Sequence, residues 1–262
     1  MSGRGKRPPE GEPVIERAFS LLAAFDETHR RLALTELSRR ALMPLSSTAR
    51  LTAQLTACGA LERDEAGRFT IGVRLYEMAA LCPRSSDLRT VALPYMGDLA
   101  EATRQHVLLA VLEGDEAVLV ERLSGHEATP VLYRVGGRMP LHSTGVGLVL
   151  LAFGPPELQQ EYLERPLTFE PESRPITAGQ LRHMLADARR DRVAVLHRPL
   201  PSQIMTVATP IFGRKGETVA ALSLVVPDHT LDPRRLIPAL QTASLAIARG
   251  MGPEAPARLP AS

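Results

Sequence analysis

A succession of short elements between residues 34 and 72 constrains the fold of this chain most strongly. The segment reads LTELSRRALMPLSSTARLTAQLTACGALERDEAGRFTIG. Pro44 separates two amphipathic helix patterns, and Gly59 ends the second of them. Strand-type residues then flank a turn at 64–67, which predicts a short β-hairpin. Together with a helix pattern that precedes them, these elements predict a winged helix-turn-helix.

The helices of this N-terminal region have distinct faces. The first helix pattern follows Pro13, and we expect its apolar face to be buried: Ile15, Ala18, Leu22 and Phe25. Thr35 is expected to cap the second helix. The third helix is expected to begin at Ser46 or Ser47 and to direct three residues inward: Leu51, Leu55 and Cys58.

The third helix pattern carries hydrogen-bonding side chains on its other side. Ser47, Arg50 and Gln54 stand at i, i+3 and i+7, so they share one face. Side chains of these types can bind base edges and phosphates. Arg63 and Arg68 would lie on the hairpin. A polar face is also typical of a helix that is merely solvated, but the ordered set of elements favours DNA binding.

The distribution of charge agrees with a DNA-binding N-terminal unit. Residues 1–75 hold 12 Lys and Arg against 9 Asp and Glu, while residues 76–262 hold 19 against 20. A basic unit joined to a nearly neutral one suits a protein that binds nucleic acid with one of its parts. The two cysteines lack metal-ligand spacing, and no apolar run reaches the ~18 residues of a membrane span. We therefore expect a cytoplasmic protein with no membrane partner.

The remainder of the chain has the pattern of an α+β domain with a central antiparallel sheet. Helix-breaking residues at Cys82-Pro83 and Ser85-Ser86 interrupt a linker helix and place the domain boundary near 81–84. Strands are expected at 106–123, 129–136, 193–196 and 204–227, and helices at 156–165, 177–191 and 232–251. Such a sheet, covered by helices, can enclose one small molecule.

The stretch LHSTGVGLVLLAF, residues 141–153, predicts a loop that runs into a helix. Ser143 or Thr144 can cap the helix, and the backbone N–H groups at Gly145 can bind an anion such as a carboxylate. A hydroxyl that only caps the helix is the plainer alternative, and the two roles are compatible.

The same stretch matches catalytic motifs only in part. A nucleophile elbow requires G-x-S-x-G, and Leu141 stands at the first position. Adjacent side chains such as His142 and Ser143 diverge, whereas a Ser–His pair must converge. Leu150 stands where a dinucleotide loop needs its third glycine, and the histidines lack metal-ligand spacing. We therefore expect no catalytic residue, metal or cofactor, and a hydrolase that uses His142 and Ser143 is the unfavoured alternative.

Five segments of the chain match the pattern of one known family. They read VIERAFSLLAAF, LTELSRRALMPLSSTARLTAQL and GALERDEAGRFTIGVRLYEMA in the N-terminal part, then RMPLHSTGVGLVLLAF and TVATPIFGRKGETVAALSLVVP. In these segments the chain resembles the IclR family of bacterial transcriptional regulators. The resemblance implies a winged helix-turn-helix joined to a GAF-like effector-binding domain. It also implies a set of DNA contacts: Thr35, Arg39, Ser46, Ser47, Thr48 and Arg50.

The start of the helix after residue 141 is expected to bind the effector through His142, Ser143, Thr144 and Gly145, and the resemblance adds Thr206 and Ser223 on the last hairpin. Leu196-His197-Arg198 replaces an acidic segment of the family, which favours an anionic effector bound by Arg198 or else a pocket that has lost its ligand. The family usually has Gly where Leu42 stands and often Lys where Leu45 stands. A phosphate contact is therefore not expected at position 45.

The expected organisation has five parts: a disordered arm (1–12), the winged helix-turn-helix (13–75), a linker helix (76–84), the GAF-like domain (85–252) and a disordered tail (253–262). The expected protein is a homodimer or homotetramer that binds a pseudo-palindromic operator in double-stranded DNA. A small organic acid is expected to switch it. A regulator with a vestigial pocket is the alternative.

Overall fold

The chain forms two compact units, Met1–Cys82 and Pro83–Ser262. The computed structural model describes residues 13–26, 28–126, 128, 133–167, 176–198, 203–228 and 232–251. The predicted arm and tail lie outside these residues.

The N-terminal unit has the predicted order of three helices and a hairpin. Helices α1 (Val14–Leu22), α2 (Leu34–Arg40) and α3 (Leu45–Ala57) precede strands β1 (Leu61–Arg63) and β2 (Phe69–Ile71) and a further helix, α4 (Val73–Ala79). β1 and β2 pair antiparallel, with Leu61 opposite Ile71. Leu32 extends the hairpin through two backbone hydrogen bonds to Phe69, of 2.8 and 3.0 Å. The winged helix-turn-helix is confirmed.

The core of this unit draws apolar side chains from the three helices and the hairpin: Leu21, Leu37, Met43, Leu51, Leu61 and Phe69 contribute. The predicted inner face of α1 is partly wrong. Ile15 is 72% exposed, whereas Leu21 is completely buried and Phe25 is also buried. Only the C-terminal end of α1 and the residues after it pack into the core, so the apolar side chains of its first turn stay in solvent.

The inner face of α3 also differs from the prediction. Leu51 is buried and Leu55 half-buried, but Cys58 at the helix end is exposed. Thr48 and Thr52 occupy inner positions, because their hydroxyls donate to backbone carbonyls one turn back at 3.1 and 2.9 Å and are thereby satisfied. The predicted contact of Thr48 with DNA is therefore wrong, since its side chain belongs to the core.

Helices α2 and α3 both begin before the residues that were predicted to cap them. α2 begins before Thr35, because the carboxylate of Glu36 accepts the backbone N–H of residue 33 at 2.8 Å and closes the first turn. α3 begins directly after Pro44, so Ser46 and Ser47 lie inside its first turn and not at its cap.

The turn between α2 and α3 contains a residue with an unfavourable backbone. Leu42 has φ +54°, in the left-handed region that costs an L-residue about 1–2 kcal/mol. Ser38 stabilises the turn, since its hydroxyl donates to the carbonyl of Met43 at 2.6 Å and its carbonyl accepts the N–H of Met43 at 3.0 Å. This backbone accounts for the glycine that the resembling family usually carries here.

The C-terminal unit is α+β, as predicted, with a six-stranded antiparallel sheet. Its elements are α5 (Pro83–Thr103), β3 (His106–Glu113), β4 (Glu116–Leu123), β5 (Arg138–Pro140), α6 (Gly145–Ala152), α7 (Pro156–Glu164), α8 (Ala178–Asp191), β6 (Ala194–Arg198), β7 (Ile204–Phe212), β8 (Thr218–Pro227) and α9 (Pro233–Gly250). The strand order is β5-β4-β3-β8-β7-β6.

Helices cover both faces of this sheet. α6, α7 and α8 pack on one face, against residues such as Leu108 and Ala208. α5 and α9 pack on the other, against residues such as Leu109 and Val207. All eight residues of α6 are buried, so the start of this helix lies in the interior of the unit.

Two predictions for this region are wrong. Ser85-Ser86 does not interrupt a helix, because α5 runs without a break from Pro83 to Thr103 and the chain between helices is the short stretch after Ala79. The strand predicted at 129–136 lies partly outside the described residues, and residues 133–136 form no strand. The strand here is β5, which pairs with the edge of β4 at Val118 opposite Arg138.

Candidate functional site

The outer side of α3 presents two rows of side chains at a spacing of four residues. Ser46, Arg50 and Gln54 are all exposed and form a polar row. The other row, the apolar row, consists of Leu45, Ala49 and Ala53. Sequence reasoning identified the polar residues, with the half-buried Ser47 among them, but missed the apolar row, although its i, i+4, i+8 spacing was visible.

Two predicted DNA-contacting residues of α2 lie one helical turn apart on its exposed surface. Thr35 and Arg39 are both exposed. The neighbouring Arg40 has a structural role instead, because its guanidinium donates to the carbonyl of Ala24 at 2.6 Å and pairs with Asp26. Of the two arginines, Arg39 is therefore the exposed one and Arg40 the one held by contacts within the unit.

The two arginines of the hairpin differ in their partners. Arg63 lies over the Phe69 ring, 5.5 Å from its centroid, and donates to the carbonyl of Gly67 at 3.0 Å. Arg68 pairs with Asp64 at 3.0 Å, and its backbone N–H, followed by its guanidinium, lowers the pKa of the Asp64 carboxyl. The charge of Arg68 is thus partly offset within the hairpin. Arg63 has no carboxylate partner among the described residues, so it offers the stronger attraction for a phosphate.

The C-terminal unit contains a cavity between the start of α6 and the sheet. Its polar lining consists of Tyr133, Thr144, Arg198, Thr206 and Ser223. The remaining lining residues are Leu108, Met139, Gly145, Val146, Ile204 and Val225. Apolar walls with a few polar groups between them are typical of a site for a small organic molecule.

Thr144 forms the N-cap of α6, as one of the two predicted alternatives had it. Its hydroxyl accepts the N–H of Gly147 at 3.1 Å and donates to the carbonyl of Pro140 at 2.8 Å. The two glycines are required by close packing. A Cβ on Gly145 would lie 2.4 Å from a methyl carbon of Thr206, and one on Gly147 would lie 2.6 Å from the backbone of Leu141.

Arg198 lines the cavity from the edge strand β6. Its guanidinium donates to the carbonyl of Ser143, directly before the helix cap. Among the described lining residues, Arg198 is the one that is charged at neutral pH. The positive end of the α6 dipole adds to this charge, so the site favours an anion.

Several buried hydroxyls in this region lack partners. Ser223 Oγ and Tyr133 Oη make no hydrogen bond to any described residue, and the Ser223 side chain is completely buried. Burying a hydroxyl without a partner costs about 1–3 kcal/mol. Because both groups line the cavity, a bound molecule could satisfy them.

His142 and Ser143 are not among the described residues that line the cavity. The His142 ring is buried, 6.0 Å from the ring of Tyr162, and burial raises the pKa of that tyrosine. Ser143 Oγ makes no hydrogen bond to a base among the described residues. The described residues also contain no cluster of His, Cys, Asp and Glu that could hold a metal ion.

A second cavity lies at the other end of β3 and β8. Its lining is mainly apolar and includes Leu112, Phe153 and Val219. It contains none of the predicted site residues. Among the described helices, none combines the length and apolar character needed to cross a bilayer.

A winged helix-turn-helix joined to an α+β domain with a cavity between helix and sheet is typical of transcriptional regulators controlled by small molecules. Comparison with family models places the chain within this class. Residues 14–65 match the IclR helix-turn-helix domain, and residues 82–249 match the bacterial transcriptional regulator IclR C-terminal domain. The chain belongs to the IclR family of transcriptional regulators.

Individual relatives span nearly the whole chain. HTH-type transcriptional regulator XynR of Escherichia coli (strain K12) is 30% identical over 245 residues, which cover 91% of this chain and 96% of that protein. HTH-type transcriptional regulator KdgR of the same strain is 26% identical, covering 94% and 95%. An IclR homolog from Microbacterium hydrocarbonoxydans, complexed with 4-hydroxybenzoate, is 33% identical, with a TM-score of 0.86 and coverage of 91% and 99%.

Proposed function

We propose that this regulator binds a pseudo-palindromic operator as a homodimer or homotetramer, and that a small organic acid in the α6 cavity controls its affinity for DNA. The observation that carries the ligand proposal is the buried, unpartnered hydroxyl of Ser223 in a cavity whose charged lining residue is Arg198. A carboxylate would be attracted by the charge of Arg198, and a hydrogen-bonding group near Ser223 would satisfy its hydroxyl.

The proposed ligand is a compact acid with an apolar body. The described cavity walls between the polar groups are apolar, as an aromatic or short aliphatic acid requires. The Microbacterium relative, which is complexed with 4-hydroxybenzoate, supports this class, because that molecule has a carboxylate and a hydroxyl at opposite ends of a ring. No cofactor enters the proposal, and a protein that acts on an operator works in the cytoplasm.

The proposed DNA interface consists of the polar row of α3, Ser47, the exposed side of α2 and the hairpin. Its residues are Thr35, Arg39, Ser46, Ser47, Arg50, Gln54, Arg63 and Arg68. Polar residues near the start of a reader helix contact base edges, whereas the arginines of the hairpin and α2 suit phosphates.

Exposed apolar side chains on two helices support assembly from copies of the chain. α1 exposes Val14, Ile15 and Phe19, and α4 exposes Tyr76 and Met78. A small unit that keeps this much apolar surface in solvent has the character of an interface. Two such units, joined by a twofold axis, would meet two half-sites of an operator.

A panel of small organic acids tests the ligand proposal by thermal shift. 4-Hydroxybenzoate, benzoate and short hydroxy acids are compared with the wild-type protein and with the Arg198→Gln variant. The proposal predicts that at least one acid stabilises the wild type and stabilises the variant much less, because binding to the folded state raises its stability. If no acid stabilises the wild type, the ligand proposal is contradicted and the vestigial-pocket alternative is supported.

A further inference from the structure

The apolar row of α3 has no evident role in the free protein. Leu45, the first residue of α3, is its one large side chain and is 48% exposed. By contrast, Leu37 of α2 and Leu51 of α3 are buried in the core, and Leu34 and Leu55 are half-buried. Leu45 therefore presents apolar surface to water next to Ser46 and Arg50 of the polar row.

The major groove of DNA offers one apolar group on its base edges, the C5-methyl of thymine. The N-terminal residues of a reader helix are those that reach base edges. Ala49 and Ala53 behind Leu45 are small, so the helix backbone can approach the bases closely on this side.

We propose that Leu45 packs on the C5-methyl of a thymine in each operator half-site and is a determinant of sequence specificity. The polar row would then read hydrogen-bonding groups on neighbouring bases while the apolar row reads the methyl group. This inference rests on the proposed function, because it requires α3 to lie in the major groove.

Replacement of thymine by deoxyuridine tests the contact, because uracil lacks only the methyl group. An operator is first selected from random duplexes with the full-length protein, and each thymine of one half-site is then replaced in turn. The wild type is expected to lose about fourfold in affinity at one position, the value for burial of one methyl group. Leu45→Ala should bind the unmodified operator more weakly and show no further loss at that position.

Two variants serve as controls. Leu245→Ala removes a leucine of similar exposure from α9 in the other unit, so it should keep the full deoxyuridine penalty. Leu45→Met retains an apolar side chain of similar volume and should keep most of the penalty. Thermal melting of each variant checks that the fold is intact.

The outcomes separate this inference from the proposed function. If no thymine replacement weakens wild-type binding, or if Leu45→Ala retains every penalty, the assignment of Leu45 is overturned. If in that case Arg50→Ala still weakens operator binding, the DNA interface stands without the methyl contact. If neither Arg50→Ala nor Leu45→Ala affects binding, the proposed interface fails together with the inference.

Discussion

Ser223 gives a prediction in which stability and function move in opposite directions. Its hydroxyl is completely buried and has no hydrogen-bond partner among the described residues. An unpaired buried hydroxyl costs about 1–3 kcal/mol, and alanine removes it while keeping Cβ. We therefore expect Ser223→Ala to stabilise the ligand-free protein by about 1 kcal/mol. This value is the lower end of that range, because the hydroxyl oxygen also makes packing contacts that alanine loses.

The assay is thermal unfolding, monitored by calorimetry. For a unit of the size of Pro83–Ser262, 1 kcal/mol corresponds to a shift in Tm of about 2–4 °C. The stabilising acid should at the same time bind the variant about fivefold more weakly, because one hydrogen bond of about 1 kcal/mol is lost.

Ser244 supplies the matched control. It is also buried, but its hydroxyl donates to the carbonyl of Pro210 at 2.6 Å. Ser244→Ala breaks this bond and leaves the carbonyl without the hydroxyl, so it should lower Tm by about 2–4 °C. If Ser223→Ala lowers Tm as Ser244→Ala does, the Ser223 hydroxyl is satisfied in the free protein and the reasoning about the cavity is refuted.

Three further predictions concern packing, DNA affinity and pH. Gly147→Ala should lower the free energy of unfolding in urea by at least about 2 kcal/mol, because a Cβ at this position would lie 2.6 Å from the backbone of Leu141. Gly97→Ala should raise it by about 0.5–1 kcal/mol, because a Cβ on this residue of α5 would meet open space. Equal effects of the two substitutions would contradict the packing described. Arg50→Ala should weaken operator binding in fluorescence anisotropy by about 1–3 kcal/mol, and an unchanged affinity would remove it from the interface. Asp115→Asn should lower the free energy of unfolding at pH 7 by about 0.5 kcal/mol, because a hydrogen bond from Arg165 lowers the pKa of the Asp115 carboxyl in the folded state. The ionised carboxylate carries this stability, so the difference between wild type and variant should vanish as the pH falls through the folded-state pKa. A difference that persists in acid would exclude the ion pair.

The parts of the fold that depend on local signals were predictable from the sequence. The hairpin of β1 and β2, the start of α6 at its threonine cap and the antiparallel hairpin of β7 and β8 all follow from turn residues and apolar periodicity. Caps were predicted less well, because Glu36 rather than Thr35 closes the first turn of α2.

Features that depend on tertiary contacts could not be predicted in the same way. β5 is three residues long and exists because the edge of β4 pairs with it. Thr48 was predicted to contact DNA, but its hydroxyl donates to the carbonyl of Pro44 and its side chain is buried in the N-terminal unit. The choice between Ile15 and Leu21 as the buried residue of α1 depends on where the other helices contact it.

Within the cavity, the sequence indicated the residues but not their arrangement. Thr206, Ser223 and Arg198 come together because β6, β7 and β8 are neighbours in the sheet. His142 and Ser143 were predicted beside them, but the cap of α6 begins one residue later and neither lines the described cavity. The sequence positions of His142, Ser143 and Thr144 are adjacent, so they could not show which of the three side chains lines the cavity.

The central claim is that an acid in the α6 cavity controls DNA affinity, and operator binding in the presence of the acid tests it most directly. Fluorescence anisotropy with the selected operator is measured with and without each acid of the panel, for the wild type and for Arg198→Gln. At least one acid should change the operator affinity of the wild type by about fivefold or more and leave that of the variant nearly unchanged. An operator affinity of the wild type that is the same with every acid would contradict the account.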